Sequence, residues 1–240
     1  MEYATFVQNV RDDGERLISV AGDDPSAAIP SCPGWTMHDL VTHIARVYEH
    51  KIACTELGAE PDPWPPSDWP ADRDDLVWLA DAHARLLAMF AAHEATDPSA
   101  TWWPPDQTVG FWARRMAQET AVHRVDAELA VGQPAPVDGA LALDGIDEVL
   151  TIMLAGDWSE APDASTGQRV AIESDGRRWI VTLSPIEIEV VEAGTADSTI
   201  GGDPSDVLLW LWGRAADGRV SRSSDEDARL LRARLTLATQ

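Results

Sequence analysis

Residues 114–130 read RRMAQETAVHRVDAELA, and the way this stretch winds decides the fold of the first half of the chain. At 100° per residue it is a helix whose packing stripe carries Trp112, Met116, Ala127 and Ala130, with Glu119 and His123 on the same stripe. A packing stripe normally excludes such groups, because a buried carboxylate or imidazole must find a partner. Four residues apart on a helix, two side chains have Cβ atoms about 5–6 Å apart, so both can reach one cation. Neutral imidazole and carboxylate both suit zinc or a similar divalent ion. The competing explanation is that the two simply pair with each other, or with Arg115 or Arg124, inside a helical bundle. A third ligand would tip the balance toward a metal.

Working back toward the N-terminus, three more helical segments precede this one. The first, about 4–21, spaces Phe6, Val10, Leu17 and Ile18; the second starts at Thr36, an N-cap with Asp39 three residues on, and continues through Leu40, Val41, Ile44, Val47 and Tyr48. The third, about 73–94, carries Leu76, Leu79, Leu86, Leu87 and Phe90. Four amphipathic helices predict a four-helix bundle. The connection GAEPDPWPPSDWPADRDD (58–75) is too rich in proline for regular structure, and its Trp64 and Trp69 are expected to fold onto something apolar. DPSATWWPPDQ (97–107) repeats that composition.

The best third ligand in the sequence is His43, within PGWTMHDLVTHIARVYEHK (33–51), two turns into the second helix at the edge of its apolar stripe. Its competing role is a histidine flanking the core. His50, one heptad further along the same face, is a rival. His38 lies in a first turn near the surface, and His83 and His93 occupy a segment whose packing residues are elsewhere, so their claims are weaker.

Near residue 132 the chain changes character. GQPAPVDG (132–139) reads as a linker, and beyond it the apolar period falls to two. RVAIES (169–174), the Asp175–Gly176 turn, RRWIVTL (177–183) and IEIEVVE (186–192) predict a three-stranded antiparallel meander. Helices are expected around DGIDEVLTIMLAG (144–156), PSDVLLWLWGR (204–214) and DEDARLLRARL (225–235). The expected organisation is two domains, 1–135 and 136–240, and the expected class is α+β.

Composition narrows the function classes. With 240 residues and 45% hydrophobic content the chain can build real cores. A net charge of -23 repels phosphate backbones and anionic lipid, and no basic run offsets it, so neither nucleic acid nor a membrane surface is an expected partner. The N-terminal residues are acidic where a signal peptide is basic, and no stretch reaches about 18 consecutive apolar residues, so the expected location is cytoplasmic. Two cysteines, Cys32 and Cys54, are expected to remain thiols there. Among 18 basic residues, Lys51 is the sole lysine.

CPGWTMHDLVTHIA (32–45) together with RMAQETAVHRVDAE (115–128) resembles the actinobacterial mycothiol-dependent maleylpyruvate isomerase family, and DVLLWLWGR (206–214) resembles the end of that family's C-terminal domain. The resemblance implies a DinB-like, metal-binding four-helix bundle followed by a small α/β, sterol-carrier-like domain with a mainly antiparallel sheet. Its metal ligands fall on His43, Glu119 and His123, the trio already reached from spacing. Two histidines and a glutamate with a fourth position left open are the makings of a catalytic zinc site. The implied cofactors are a divalent metal, zinc by ligand type, and mycothiol. The implied partners are a small-molecule thiol and an electrophilic substrate, and the implied activity is an isomerase or an S-transferase. In the isomerase a thiolate adds to an activated cis double bond, the bond rotates as a single bond, and elimination returns the trans isomer. Such substrates are dicarboxylates, which an acidic protein repels, so a local arginine is required. The resemblance points to Arg214, expected to face the cleft between the domains and to fork onto a carboxylate. Its competing role is a cation at a helix C-terminus. Arg115, Arg124 and Arg222 are alternatives. Cys32 could supply a fourth ligand, but the matching family residues leave that position open. Two other functions stay open: a transferase or hydrolase using metal-bound water, and a non-catalytic ligand-binding protein with a structural metal.

Overall fold

Helix-start chemistry lays out the first half of the chain. In the computed structural model, which describes all residues except 23, 67–73, 164 and 240, four helices form the unit Met1–Ala135. They are α1 (Tyr3–Ala21), α2 (Met37–Leu57), α3 (Asp75–Ala92) and α4 (Val109–Ala130). Thr36 caps α2 in a reciprocal capping box with Asp39, whose carboxylate accepts the Thr36 N–H at 2.8 Å. Asp74 and Thr108 cap α3 and α4. Each such cap contributes about 0.5–2 kcal/mol. Trp69 and Arg73, the expected first residue of the third helix, lie outside the described residues.

The helices pack as a ring, α1 against α4 and α3, and α2 against α3 and α4. Val10, Leu17, Leu40, Ile44, Leu79, Leu86, Phe90, Trp112 and Met116 fill the centre. The expected single apolar stripe on α4 understates its burial. Nearly every residue from Val109 to Glu128 is buried, because connections cover flanks that α1 and α2 leave. Trp112 donates its indole N–H to Ser99 and Ala100 in one connection, and Asp126 meets Ser31 in another. A helix enclosed this way must satisfy its polar side chains internally. Arg124 does so with Asp13 at 3.0 Å and Glu128 at 2.7 Å, and Glu128 with Arg16 at 2.9 Å.

His83 corrects the reading of α3. Far from lying off the packing surface, it is buried and donates from Nε2 to the Val10 carbonyl at 3.0 Å. The ring reaches the α1 backbone because Gly14 has no Cβ there.

The second unit, Pro136–Gln240, is α+β. Helix α5 (Gly139–Glu148) runs into a π-helical turn, Val149–Leu154. A six-stranded mixed sheet follows, built from β1 (Gly156–Asp157), β2 (Gln168–Ser174), β3 (Arg177–Leu183), β4 (Glu187–Val191), β5 (Ser198–Gly201) and β6 (Ser221–Arg222). Its order is β1-β4-β3-β2-β5-β6, and β2 and β5 form its one parallel pair. The meander β2–β3–β4 is present as expected, its first turn made by Asp175 and Gly176, both with positive φ. The sequence reading lacked β1, β5 and β6. They run two to four residues each, too short to show an alternating pattern.

Register puts Ile172 opposite Trp179, and the Trp179 indole donates to Asp147, so α5 covers that face of the sheet. Helices α6 (Pro204–Leu211) and α7 (Asp225–Ala238) complete the unit. Buried Arg234 of α7 ties down the strand connections through Asp163 at 2.7 Å and the carbonyls of Ala161 and Pro185.

Candidate metal centre

His43 on α2 and Glu119 and His123 on α4 bring one ligand atom each to a common point, all within 4.8 Å of one another. His43 Nε2 lies 3.2 Å from Glu119 Oε1, and His123 Nε2 lies 3.4 Å from the same oxygen. Ligands about 2.0–2.2 Å from a tetrahedral ion are about 3.3–3.6 Å apart, so these spacings fit the edges of a zinc-type coordination shell. The His43 side chain is 36% exposed, Glu119 17% and His123 10%, so the cluster opens on the His43 side.

Each anchor has its own support. Arg115 donates to Glu119 Oε2 at 2.9 Å and leaves Oε1 facing the histidines. Asp126 Oδ2 accepts from His123 Nδ1 at 2.8 Å, which aims Nε2 into the cluster. Asp126 is in turn held by the Ser31 hydroxyl and lies 3.6 Å from the Cys32 thiol. The turn Cys32–Trp35 has Pro33 second, Gly34 third with φ 87°, and a Trp35 N–H to Cys32 carbonyl bond of 3.0 Å. It sets the Trp35 ring 5.1 Å from His43 and stacks it 6.4 Å from His123.

Burial opposes ionisation of Glu119. The His123 charge, hydrogen bonds from His123 and His43, and Arg115 overcome it and hold the carboxyl well below its ordinary range. Burial likewise pushes His123 down, but Glu119 and Asp126 outweigh it and raise the imidazole to about 9. The proton of His123 and the Arg115 guanidinium thus balance the carboxylates around the ring, and a cation bound by the three side chains would take that proton's place.

The pairing of Glu119 with His123 and Arg115 that competed with a metal in the sequence is present as contacts, and the approach of His43 comes in addition to it. Arg124 does not join, being engaged by Asp13 and Glu128. His50 lies elsewhere, against Lys51, Cys54 and Trp64. His38 pairs with Asp75 and His93 with Asp97. Cys32 is not in the cluster, since its thiol approaches Asp126 on the Nδ1 side of His123. In the second unit, Arg214 follows α6 and donates to the Trp212 carbonyl at 2.6 Å, the contact of a cation at a helix C-terminus. Arg222 is engaged by Asp217 and Asp225. Asp126, Ser31 and Trp35 are site residues that spacing alone did not single out. The signals were present in Pro33–Gly34, a turn dipeptide, and in Asp126, three residues past His123 on one helix face.

The family model for the mycothiol maleylpyruvate isomerase N-terminal domain matches residues 7–128, and the chain belongs to that family. A crystal structure of the mycothiol-dependent maleylpyruvate isomerase aligns with a TM-score of 0.60 at 14% identity, over 93% of this chain and 93% of that one. A histidine-to-alanine mutant of the isomerase aligns equally well, with a TM-score of 0.60 at 13% identity over 93% of both chains. At such identities the likeness is one of fold. A ubiquinone synthesis protein, UbiJ-SCP2, covers 43% of this chain at 21% identity, with 96% of its own chain aligned and a TM-score of only 0.31. No curated protein sequence matches the chain.

Proposed function

We propose that the protein is a metal-dependent enzyme that uses a small-molecule thiol, mycothiol in the family's terms, as an isomerase of the maleylpyruvate type or as an S-transferase on an electrophilic small molecule. The observation that carries this reading is the convergence of His43, Glu119 and His123 with a donor set and spacing that fit a divalent ion of the zinc type. Family membership supports the thiol. A divalent ion held there would supply the positive charge that makes a bound thiol ionise near neutral pH.

The chain's own residues prepare that chemistry. Arg115 holds one Glu119 oxygen, so the other meets the histidines. Asp126 keeps the Nδ1 proton of His123 in place and leaves Nε2 to act as a donor of electrons. Trp35 places an apolar ring beside both imidazoles, stacked on His123 and tilted against His43. On the resemblance of the 206–214 motif, Arg214 is proposed as a cation for a substrate carboxylate.

The test is metal analysis of the purified protein, followed by titration of a cobalt-substituted sample with mycothiol. The expected results are one ion per chain, lost in Glu119→Gln, and a thiolate-to-cobalt charge-transfer band near pH 7. Metal-dependent turnover without any thiol would favour metal-bound water as nucleophile instead, and a bound ion with neither band nor turnover would favour a structural metal.

A further inference from the structure

Lys51 is an interior cation in contact with neutral groups. Several interior arginines have carboxylate partners, Arg115 with Glu119, Arg124 with Asp13 and Glu128, and Arg234 with Asp163, whereas half-buried Arg232 donates to the Leu211 carbonyl and lies over Trp210. The half-buried Lys51 ammonium has no carboxylate within ion-pair distance among the described residues, although the chain carries 41 acidic side chains. Its Nζ instead lies 3.1 Å from His50 Nδ1 and 4.6 Å from the centre of the Trp112 ring. Burial and the Lys51 charge push His50 down to about 4, so at neutral pH that ring is uncharged and accepts from the ammonium. Burial holds the Cys54 thiol up, so it provides no anion either. An ammonium has three donors. One is met by His50 and one face by the indole, so a further donor can reach a ligand carboxylate.

The position links Lys51 to the candidate metal centre. His43, Val47 and Lys51 are four residues apart in turn on α2, on one face and about 12 Å along the axis. Helical side chains lean toward the N-terminus, so the Lys51 arm leans back toward His43. On α4, Trp112 lies at Lys51 and Glu119 at His43, with Arg115 between them in sequence. Burial pulls the Lys51 pKa down and Arg115 adds to this, while the charges of Glu119 and Glu60 act against it.

We infer that Lys51, seated between Trp112 and His50, is the anchor for an ionised carboxylate of the substrate, on the same α2–α4 face as His43 and Glu119. The inference rests on the proposed function only in assigning the carboxylate to the substrate; the anion site is testable without it. The probe is succinate, an unreactive dicarboxylate, titrated calorimetrically into the full-length protein. Lys51→Met should weaken succinate binding about tenfold or more, the usual effect of deleting a charged hydrogen-bond donor. Lys51→Arg should retain most of it, and neutral succinamide should not bind. Because Lys51 is the only lysine, acetylation of the folded wild-type protein neutralises the same charge without a folding step, and it should reproduce the Lys51→Met loss. Succinate that fails to bind the wild type, or that binds equally after Lys51→Met or acetylation, overturns the inference. A cobalt–thiol band alongside succinate binding indifferent to Lys51 leaves the enzyme reading standing and removes this one. Lys51-dependent succinate binding without the band does the reverse.

Discussion

Asp126 Oδ2 lies 2.8 Å from His123 Nδ1, on the edge of the ring opposite the Nε2 that meets Glu119 at 3.4 Å. An ionised carboxylate only accepts, so this contact fixes Nδ1 as the donor and turns the other nitrogen toward the cluster. Carboxylates placed behind a metal-binding imidazole typically contribute 10–100-fold to affinity. Asp126→Ala should therefore raise the zinc dissociation constant by about that factor, measured by competition with a chelating dye. An unchanged constant in a variant of normal melting temperature would remove Asp126 from the site.

Charge and position of the ligands give the second prediction. Glu119→Gln replaces the anionic member of the trio with a neutral one and should strip most of the metal. His50→Ala should leave metal content near the wild-type level, because His50 faces Lys51, Cys54 and Trp64 rather than Glu119. Elemental analysis of both proteins after dialysis against the same trace of zinc decides it. Loss of metal in His50→Ala would mean that the wrong imidazole has been assigned.

The third prediction concerns stability. His83 is buried and neutral, and burial depresses its pKa below the ordinary 6.5. The unfolded chain thus binds a proton that the folded chain refuses. The stability tied to His83 is complete above about pH 6.5 and is lost as pH falls from there through the depressed folded value. His83→Gln, whose amide can still donate to the Val10 carbonyl, should flatten that acid limb in urea melts taken from pH 7.5 to 4.5. Gly14→Ala should cost about 1–3 kcal/mol, since the new Cβ would overlap the His83 ring where it is bonded to α1. Equal melting of Gly14→Ala and wild type would show that the ring has room to move.

These residues also show what the sequence made legible. The i, i+4 spacing of Glu119 and His123 exposed two-thirds of the cluster, because a helix fixes that geometry within one segment. His43 needed a ranking among six histidines, which its place on the apolar edge of α2 supplied. Asp126 and His83 were harder. Their roles come from neighbours far away in sequence: Ser31 and Cys32 lie about ninety-five residues from Asp126, and Val10 lies 73 residues from His83. Periodicity measures which face of a helix is apolar, and α4 is enclosed on nearly every face, so the pattern alone could not separate its packing side from its polar one. The three short strands of the second unit left no period to read, whereas the Asp175–Gly176 turn announced the hairpin outright, because only residues tolerant of positive φ fit there.

The last prediction decides whether the cluster is open or closed. Cys32 lies in the turn before α2 and was the one protein thiol that could have completed a four-ligand, structural site. Its Sγ lies 3.6 Å from Asp126 Oδ2, and Asp126 occupies the Nδ1 side of His123, away from the point where His43, Glu119 and His123 meet. Cys32→Ser keeps a donor for Asp126 while removing the sulfur. It should therefore retain its metal, melt within about 0.5–1.5 kcal/mol of the wild type, the worth of one hydrogen bond, and still give the cobalt charge-transfer band when mycothiol is added. The opposite pattern, a band present in the wild type before any thiol is added and absent in Cys32→Ser, would make Cys32 a ligand. The metal would then be structural, and the enzyme reading would fall with it.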